Sequence, residues 1–178
     1  MQNKPDQQYL DFLDAVDQKM NTPIELHCLG GFVVSQFYGM LRNTQDVDVL
    51  SILPWDASTL LQTLAGQGSD LYLKYKLYIE LVAVTAYPEN YEERLQPMFP
   101  HCWQWLQLKA LDPHDLALTK LERNSIRDRA DVRYLAITGK IHKETLRRLY
   151  YDEYRIYTTG RVESHDLTLK LWLEEFWS

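Results

Sequence analysis

The stretch that most limits what this chain can become runs from Ile24 to Leu50, IELHCLGGFVVSQFYGMLRNTQDVDVL. A strand-like run meets a glycine pair, Gly30-Gly31, followed by a short helix, a tight return, and a second strand carrying Asp46 and Asp48. Side chains two apart on a strand share a face, at a rise of about 3.3 Å per residue. Asp46 and Asp48 therefore project together while Val47 and Val49 turn the other way. Two adjacent carboxylates disfavour each other's charged form, and a hard divalent ion, Mg2+ or Mn2+, relieves that repulsion with phosphate oxygens among its other ligands. The glycines let the backbone approach a ligand closely and open a helix whose unpaired N–H groups favour an anion. Either feature alone is commonplace: a glycine pair is most often a turn, and Asp-x-Asp a solvated strand edge. In this order and at this spacing they make a phosphate cradle followed by a metal-holding strand, a device for a nucleoside triphosphate.

The 178 residues are enough for one well-packed domain or for a domain with a substantial second lobe. No apolar run approaches the roughly 18 residues that span a bilayer, and the polar start MQNKPDQQ does not read as a signal peptide. These features, with only Cys28 and Cys102 as cysteines and Cys28 in the presumed buried strand, lead us to expect a cytoplasmic protein without disulfides or membrane contact. The net charge of −6 argues against indiscriminate nucleic-acid binding, but residues 101–161 hold 12 Lys+Arg against 8 Asp+Glu. That local excess either steers a polyanion to one face or is simply the solvated side of helices.

Along the chain, Tyr9, Leu10, Leu13, Val16 and Met20 recur at helical spacing within residues 6–20. After the Ile24–Leu29 strand, Phe32–Tyr38 reads as a short helix with Gly39 as its left-handed cap and Phe32, Val33, Val34 and Phe37 in the core. Ser35 either reaches a phosphate or satisfies its own helix, and Arg42 suits a triphosphate or an ion pair with an aspartate. Asp56 is placed to cap a helix over Ala57–Leu64, closed by Gly66-Gln67-Gly68. Residues 71–84 read as strand, bent or split into a hairpin, with Tyr78, Glu80, Val82 and Val84 on one face. Glu80 is then an acid among apolar neighbours beside Asp46 and Asp48: a third metal-facing carboxylate, or an edge residue in water. His101, Cys102 and His114 lack the paired spacing of a zinc site, and Trp103 and Trp105 read as core on a short strand, WQWLQL. Asp112 and Pro113 start a helix with Leu116, Leu118 and Leu121 inward, and Ser125 starts another that ends at Gly139. On these, Lys120 must snorkel or meet an anion, and Asp128 either complements a helix dipole or serves a site. The remainder reads as two amphipathic helices in which Tyr150, Tyr151, Tyr154, Tyr157, Trp172, Phe176 and Trp177 pack.

The segments LGGFVVSQFYG, RNTQDVDVL, YPENYEERL and DLALTKLERNSIRDRADV together resemble the DUF6036 group of nucleotidyltransferases, related to the AbiEii/MenT toxins of bacterial toxin–antitoxin and abortive-infection systems. The resemblance implies that Asp46 and Asp48 bind divalent metal and that Gly30, Gly31 and Ser35 contact triphosphate. It gives Lys120, in Thr119-Lys120-Leu121, to the nucleotide, and makes Asp128, after Arg127, a further catalytic acid. Many members of the superfamily carry Gly-Ser where this chain has Gly-Gly, which sets it nearer the toxin-like branch. The third acid is often Asp, where this chain offers Glu80.

The expectation is thus an α/β protein, a small mixed sheet flanked by helices over residues 1–100 with a helical C-terminal lobe over 101–178. Its activity would be metal-dependent transfer of a nucleoside monophosphate to an acceptor hydroxyl, by analogy the 3′ end of a tRNA, with a cognate antitoxin protein as partner. Two alternatives stand beside it: a catalytically silent module that binds a partner, and an antitoxin that adenylylates its cognate toxin.

Overall fold

The computed structural model describes residues 5–83, 86–158 and 161–177. It divides into two compact units, the first formed by residues 1–83 with 95–110 and the second by 84–94 with 111–178.

In the first unit helix α1 (Gln7–Asp17) buries Tyr9, Phe12, Leu13 and Val16. Phe12, fully buried, belongs to the stripe that the sequence outlined without it, whereas Leu10 is only half-buried. Strand β1 (Ile24–Cys28) leads through Leu29 into α2 (Gly30–Phe32) and a π-helical turn, Val33–Phe37. The expected short helix is there, but its C-terminal part widens to a π-turn, with Phe32, Val33 and Val34 buried and Phe37 half-buried. Strand β2 (Asp46–Leu53), α3 (Ala57–Ala65), α4 (Asp70–Tyr75) and β3 (Tyr78–Leu81) follow, and the unit closes with β4 (Gln96–Met98) and β5 (Leu106–Ala110). These strands form one sheet in the order β3-β2-β1-β5-β4. β1 runs antiparallel to β2 and parallel to β5, β2 parallel to β3, and β4 antiparallel to β5. β1 has a neighbouring strand on each side, and four of its five residues are buried.

Three expectations need correction here. Residues 71–75 are not strand: Ser69 Oγ accepts from Tyr72 N at 3.1 Å and caps α4, and Lys76 reverses the chain at φ 58° before β3 begins. Tyr75 meets Phe12 of α1 edge-on, and its carbonyl accepts from Gln8 Nε2 at 2.7 Å, so tertiary packing overrides strand propensity in LYLKY. Val84, expected on the same face as Glu80, lies outside the described residues. Trp103 and Trp105 precede β5 and are half-buried rather than core: Trp103 Nε1 donates to Asp14, and Asp17 accepts from the N–H groups of Trp105 and Leu106 at 2.7 and 2.8 Å. Asp56 precedes α3 but makes no side-chain cap bond, because its own backbone is already helical.

The second unit is mainly helical. Asp112 accepts from His114 N at 2.9 Å and starts α5 (Pro113–Leu118). Asp115, fully buried, is gripped by Arg94 through two bonds of 2.9 Å, and Arg94 also meets Glu153 at 2.8 Å. Helix α6 (Ile126–Ile137) begins with a Ser125–Asp128 capping box, and α7 (Lys143–Leu149) widens into a π-turn at Tyr150–Tyr154. Helix α8 (Val162–Glu175) buries Leu169 and Trp172. Tyr150, Tyr154 and Phe176 are core as expected, whereas Tyr151 and Tyr157 stay exposed. Cys28 is buried and Cys102 exposed, both as free thiols. No helix among the described residues is long and apolar enough to cross a membrane.

Candidate metal and phosphate site

β2 and β3 pair in parallel with Asp46 opposite Tyr78 and Asp48 opposite Glu80. The buried faces of both strands, Val47, Val49 and Ile79, fix which way the alternate residues point. Asp46, Asp48 and Glu80 consequently converge, each offering a carboxylate oxygen within 4.8 Å of the others. The two aspartates are half-buried and Glu80 is exposed, so Glu80 is both an acid beside the pair and an edge residue reached by water.

The glycine pair lies against this cluster. A register irregularity between His27 and Cys28 turns the end of β1, and Leu29 N donates to the Asp48 carbonyl at 3.0 Å. Gly30 then takes φ +69°, and a β-carbon there would overlap the Asp48 carboxylate. At Gly31 a β-carbon would stand 2.7 Å from Arg42 Nη2. The absence of both side chains is what lets an acid and a guanidinium close in on one turn of backbone. Arg42 is thereby placed beside the cradle, and a polar groove of about 540 Å³ opens next to it, lined by Asp6, Ser35, Gln36, Met40 and Asn43 among others. Ser35 itself is buried and donates to the Phe32 carbonyl at 3.3 Å, the helix-satisfying option.

Neighbouring groups register the concentrated negative field. The Tyr78 hydroxyl is pushed up by burial and then by Asp46, Glu80 and Asp48. Burial, and then Asp46, Asp6 and Asp48, push the Tyr9 hydroxyl up against an opposing effect of Arg42. The Cys28 thiol is raised by burial and by Asp48. Three convergent oxygen donors in such a field fit a hard divalent cation and no soft one, since neither sulfur nor imidazole is among them.

The structure also supplies neighbours that sequence reasoning left without a role. Thr44 Oγ1 donates to Asp46 Oδ1, and Tyr9 Oη donates to the Thr44 carbonyl at 2.8 Å. A hydroxyl residue two positions before the first aspartate is a faint signal for the former; nothing in the sequence ties helix α1 to this loop.

Lys120 and Asp128 belong to the second unit, where they meet each other. Lys120, 5% exposed, lies 2.8 Å from Asp131 Oδ2 and 3.4 Å from Asp128 Oδ1, so it meets anions rather than snorkelling. Asp128 accepts from Ser125 N and Oγ and from Arg123 Nε and Nη2. Burial alone would raise its pKa, but the bonds from Arg123 and Ser125 and the charge of Lys120 outweigh this and hold the carboxyl well below the usual range. Arg123 and Asp131 escaped the sequence reading; Asp128 and Asp131, three apart on one helix, were the available signal.

No curated protein and no solved structure matches the chain. A family model described as a nucleotidyltransferase of unknown function (DUF6036) matches residues 10–175. With nearly the whole chain matched, this protein belongs to the DUF6036 family of nucleotidyltransferases.

Proposed function

We propose that the protein transfers a nucleoside monophosphate from a nucleoside triphosphate to an acceptor hydroxyl, in a reaction that depends on Mg2+ or Mn2+. The observation that carries this reading is the convergence of Asp46, Asp48 and Glu80 within 4.8 Å beside a glycine pair that also receives Arg42. The acceptor oxygen attacks the α-phosphorus, the bond from that phosphorus to the bridging oxygen breaks, and pyrophosphate departs.

Asp46 and Asp48 hold the cation, with Glu80 as third ligand or as the base that takes the hydroxyl proton. When bound, the cation supplies charge neutralisation for the phosphates. Gly30 and Gly31 admit the triphosphate close to the backbone, the Arg42 guanidinium takes phosphate oxygens as a planar fork of donors, and the groove beside Arg42 has room for the nucleoside. Ser35 contributes by holding the helical segment in place rather than by touching phosphate. By family analogy Lys120 serves the nucleotide and Asp128 is a further catalytic acid. The excess of basic residues between 101 and 161 suits a polyanionic acceptor, and the 3′ end of a tRNA is the acceptor that the toxin-like relatives suggest. In that setting the protein acts as the toxin of a toxin–antitoxin pair, with a cognate antitoxin protein as its partner.

Incubation with each α-labelled nucleoside triphosphate, Mg2+ or Mn2+, and total RNA or lysate tests this reading. Label on RNA that vanishes with Asp46→Ala is the expected result. Label on a protein moves the acceptor to a polypeptide. Absence of label with every nucleotide and both ions overturns the enzyme.

A further inference from the structure

Helix α1 has no residue among the acids or the glycines, yet one of its side chains reaches the segment between them. Tyr9 is 5% exposed. Its hydroxyl donates to the Thr44 carbonyl at 2.8 Å, and its ring packs on Phe32 with centroids 5.2 Å apart. Phe32 is the residue that follows the glycine pair, and Thr44 passes its own hydroxyl hydrogen bond to Asp46 Oδ1. One phenol therefore touches both sides of the candidate site: the segment that carries the cradle through its ring, and the segment that carries the acids through its oxygen.

We propose that Tyr9 and Thr44 are positioning residues for the cation-binding carboxylates, Thr44 fixing the rotation of the Asp46 carboxylate and Tyr9 fixing Thr44 relative to the glycine pair. The inference rests on the reading of Asp46, Asp48 and Glu80 as the cation site. A carboxylate rotates about its Cβ–Cγ bond, and a cation that orders it loses that freedom as binding energy; a hydroxyl already engaging one oxygen removes most of the cost. Thr44 can aim its hydroxyl only if its peptide is held, and the Tyr9 bond to its carbonyl does that. A tyrosine phenol is protonated at physiological pH without any help from its surroundings, so it remains a donor throughout. Gln36, bonded to the backbone N–H and the carboxylate of Asp6 just before α1, fixes the start of that helix against the same π-turn.

Mn2+ affinity of the full chain, measured by calorimetry and by electron paramagnetic resonance of the free ion, tests the proposal without calling on turnover. The set is wild type, Asp46→Asn, Thr44→Val, Thr44→Ser and Tyr9→Phe, each with its thermal midpoint. Thr44→Val and Tyr9→Phe are expected to bind Mn2+ about tenfold more weakly, the low end of what an outer partner of a metal ligand contributes. Thr44→Ser, which keeps the hydroxyl, restores wild-type affinity. Tyr9→Phe keeps the ring on Phe32 and so reads the hydrogen bond even should Thr44→Val fold poorly. Wild-type affinity in either variant, against a clear loss in Asp46→Asn, overturns the positioning role. Wild type and Asp46→Asn that bind Mn2+ equally, or not at all, refute the cation site itself.

Discussion

Gly30 and Asp48 occupy one space: a β-carbon on Gly30 would overlap the Asp48 carboxylate, and Gly30 holds φ +69° to leave that room. Gly68 makes the control, because it too has a positive φ, +88°, but nothing lies within 4 Å of the β-carbon it lacks. Gly68→Ala should cost only the backbone strain, about 1–2 kcal/mol. Gly30→Ala should cost that strain and also displace Asp48, lowering Mn2+ affinity at least tenfold. Thermal midpoints and Mn2+ titrations of the two variants separate the effects, and equal Mn2+ affinity in both would show that Asp48 does not need the space.

Asp46 and Asp48 repel each other in the absence of a cation. Asp46→Ala and Asp48→Ala should therefore melt at or above the wild-type temperature in chelator. Saturating Mn2+ should stabilise wild type by about 2.7 kcal/mol at a hundred times its dissociation constant and leave both variants unmoved. A collapse of the melting temperature in chelator would mark the two aspartates as structural.

Lys120 lies between two buried carboxylates, so its removal acts on two levels. Lys120→Ala leaves Asp128 and Asp131 without their shared cation and should lower stability by about 3 kcal/mol, in the range for a broken buried ion pair. If the lysine serves the nucleotide, triphosphate affinity falls more than Mn2+ affinity. Calorimetry with a non-hydrolysable triphosphate decides this, and unchanged nucleotide affinity in a folded variant removes Lys120 from the site.

Acid should unfold the second unit through Asp128. Its folded pKa is depressed by Arg123, Ser125 and Lys120 acting against burial. A depressed carboxylate contributes its stabilisation in full above the unfolded pKa, about 3.9, and loses it as pH falls from there toward the folded value. Stability between pH 5 and pH 2 should thus fall less steeply in Asp128→Asn than in wild type. Chemical denaturation at stepped pH reads the slope directly, and parallel curves would contradict the assignment.

His165 is buried at 5% exposure with both ring nitrogens lacking a hydrogen-bond partner among the described residues, and its ring meets Tyr154 edge-on at 6.1 Å. Burying an unsatisfied polar group costs about 1–3 kcal/mol. His165→Phe or His165→Leu should accordingly raise the unfolding free energy by about 1 kcal/mol. Loss of stability in both would show that the imidazole makes a bond that these replacements forfeit.

The candidate site was legible where the signal is local. Alternation alone put Asp46 with Asp48 and set Glu80 on a face with Tyr78 and Val82, an acid among apolar neighbours, and the Ser125 and Asp112 caps were readable from residues three or fewer positions apart. Reading strand through LYLKY failed because Ser69 caps a helix there and Phe12 and Gln8 reward it, and neither contact is written in the segment itself.

By itself, then, the chain's order of residues determined periodicity: which side chains share a face, where a helix can begin, and where only glycine fits. The tertiary structure alone decided the β2–β3 register that brings Glu80 opposite Asp48, the approach of Arg42 to Gly31, and the reach of Tyr9 to Thr44. The physical reason is range. A repeat of two or 3.6 residues is fixed by the geometry of one element, whereas pairing between residues tens of positions apart depends on burial summed over the whole sheet, which no single window of sequence contains.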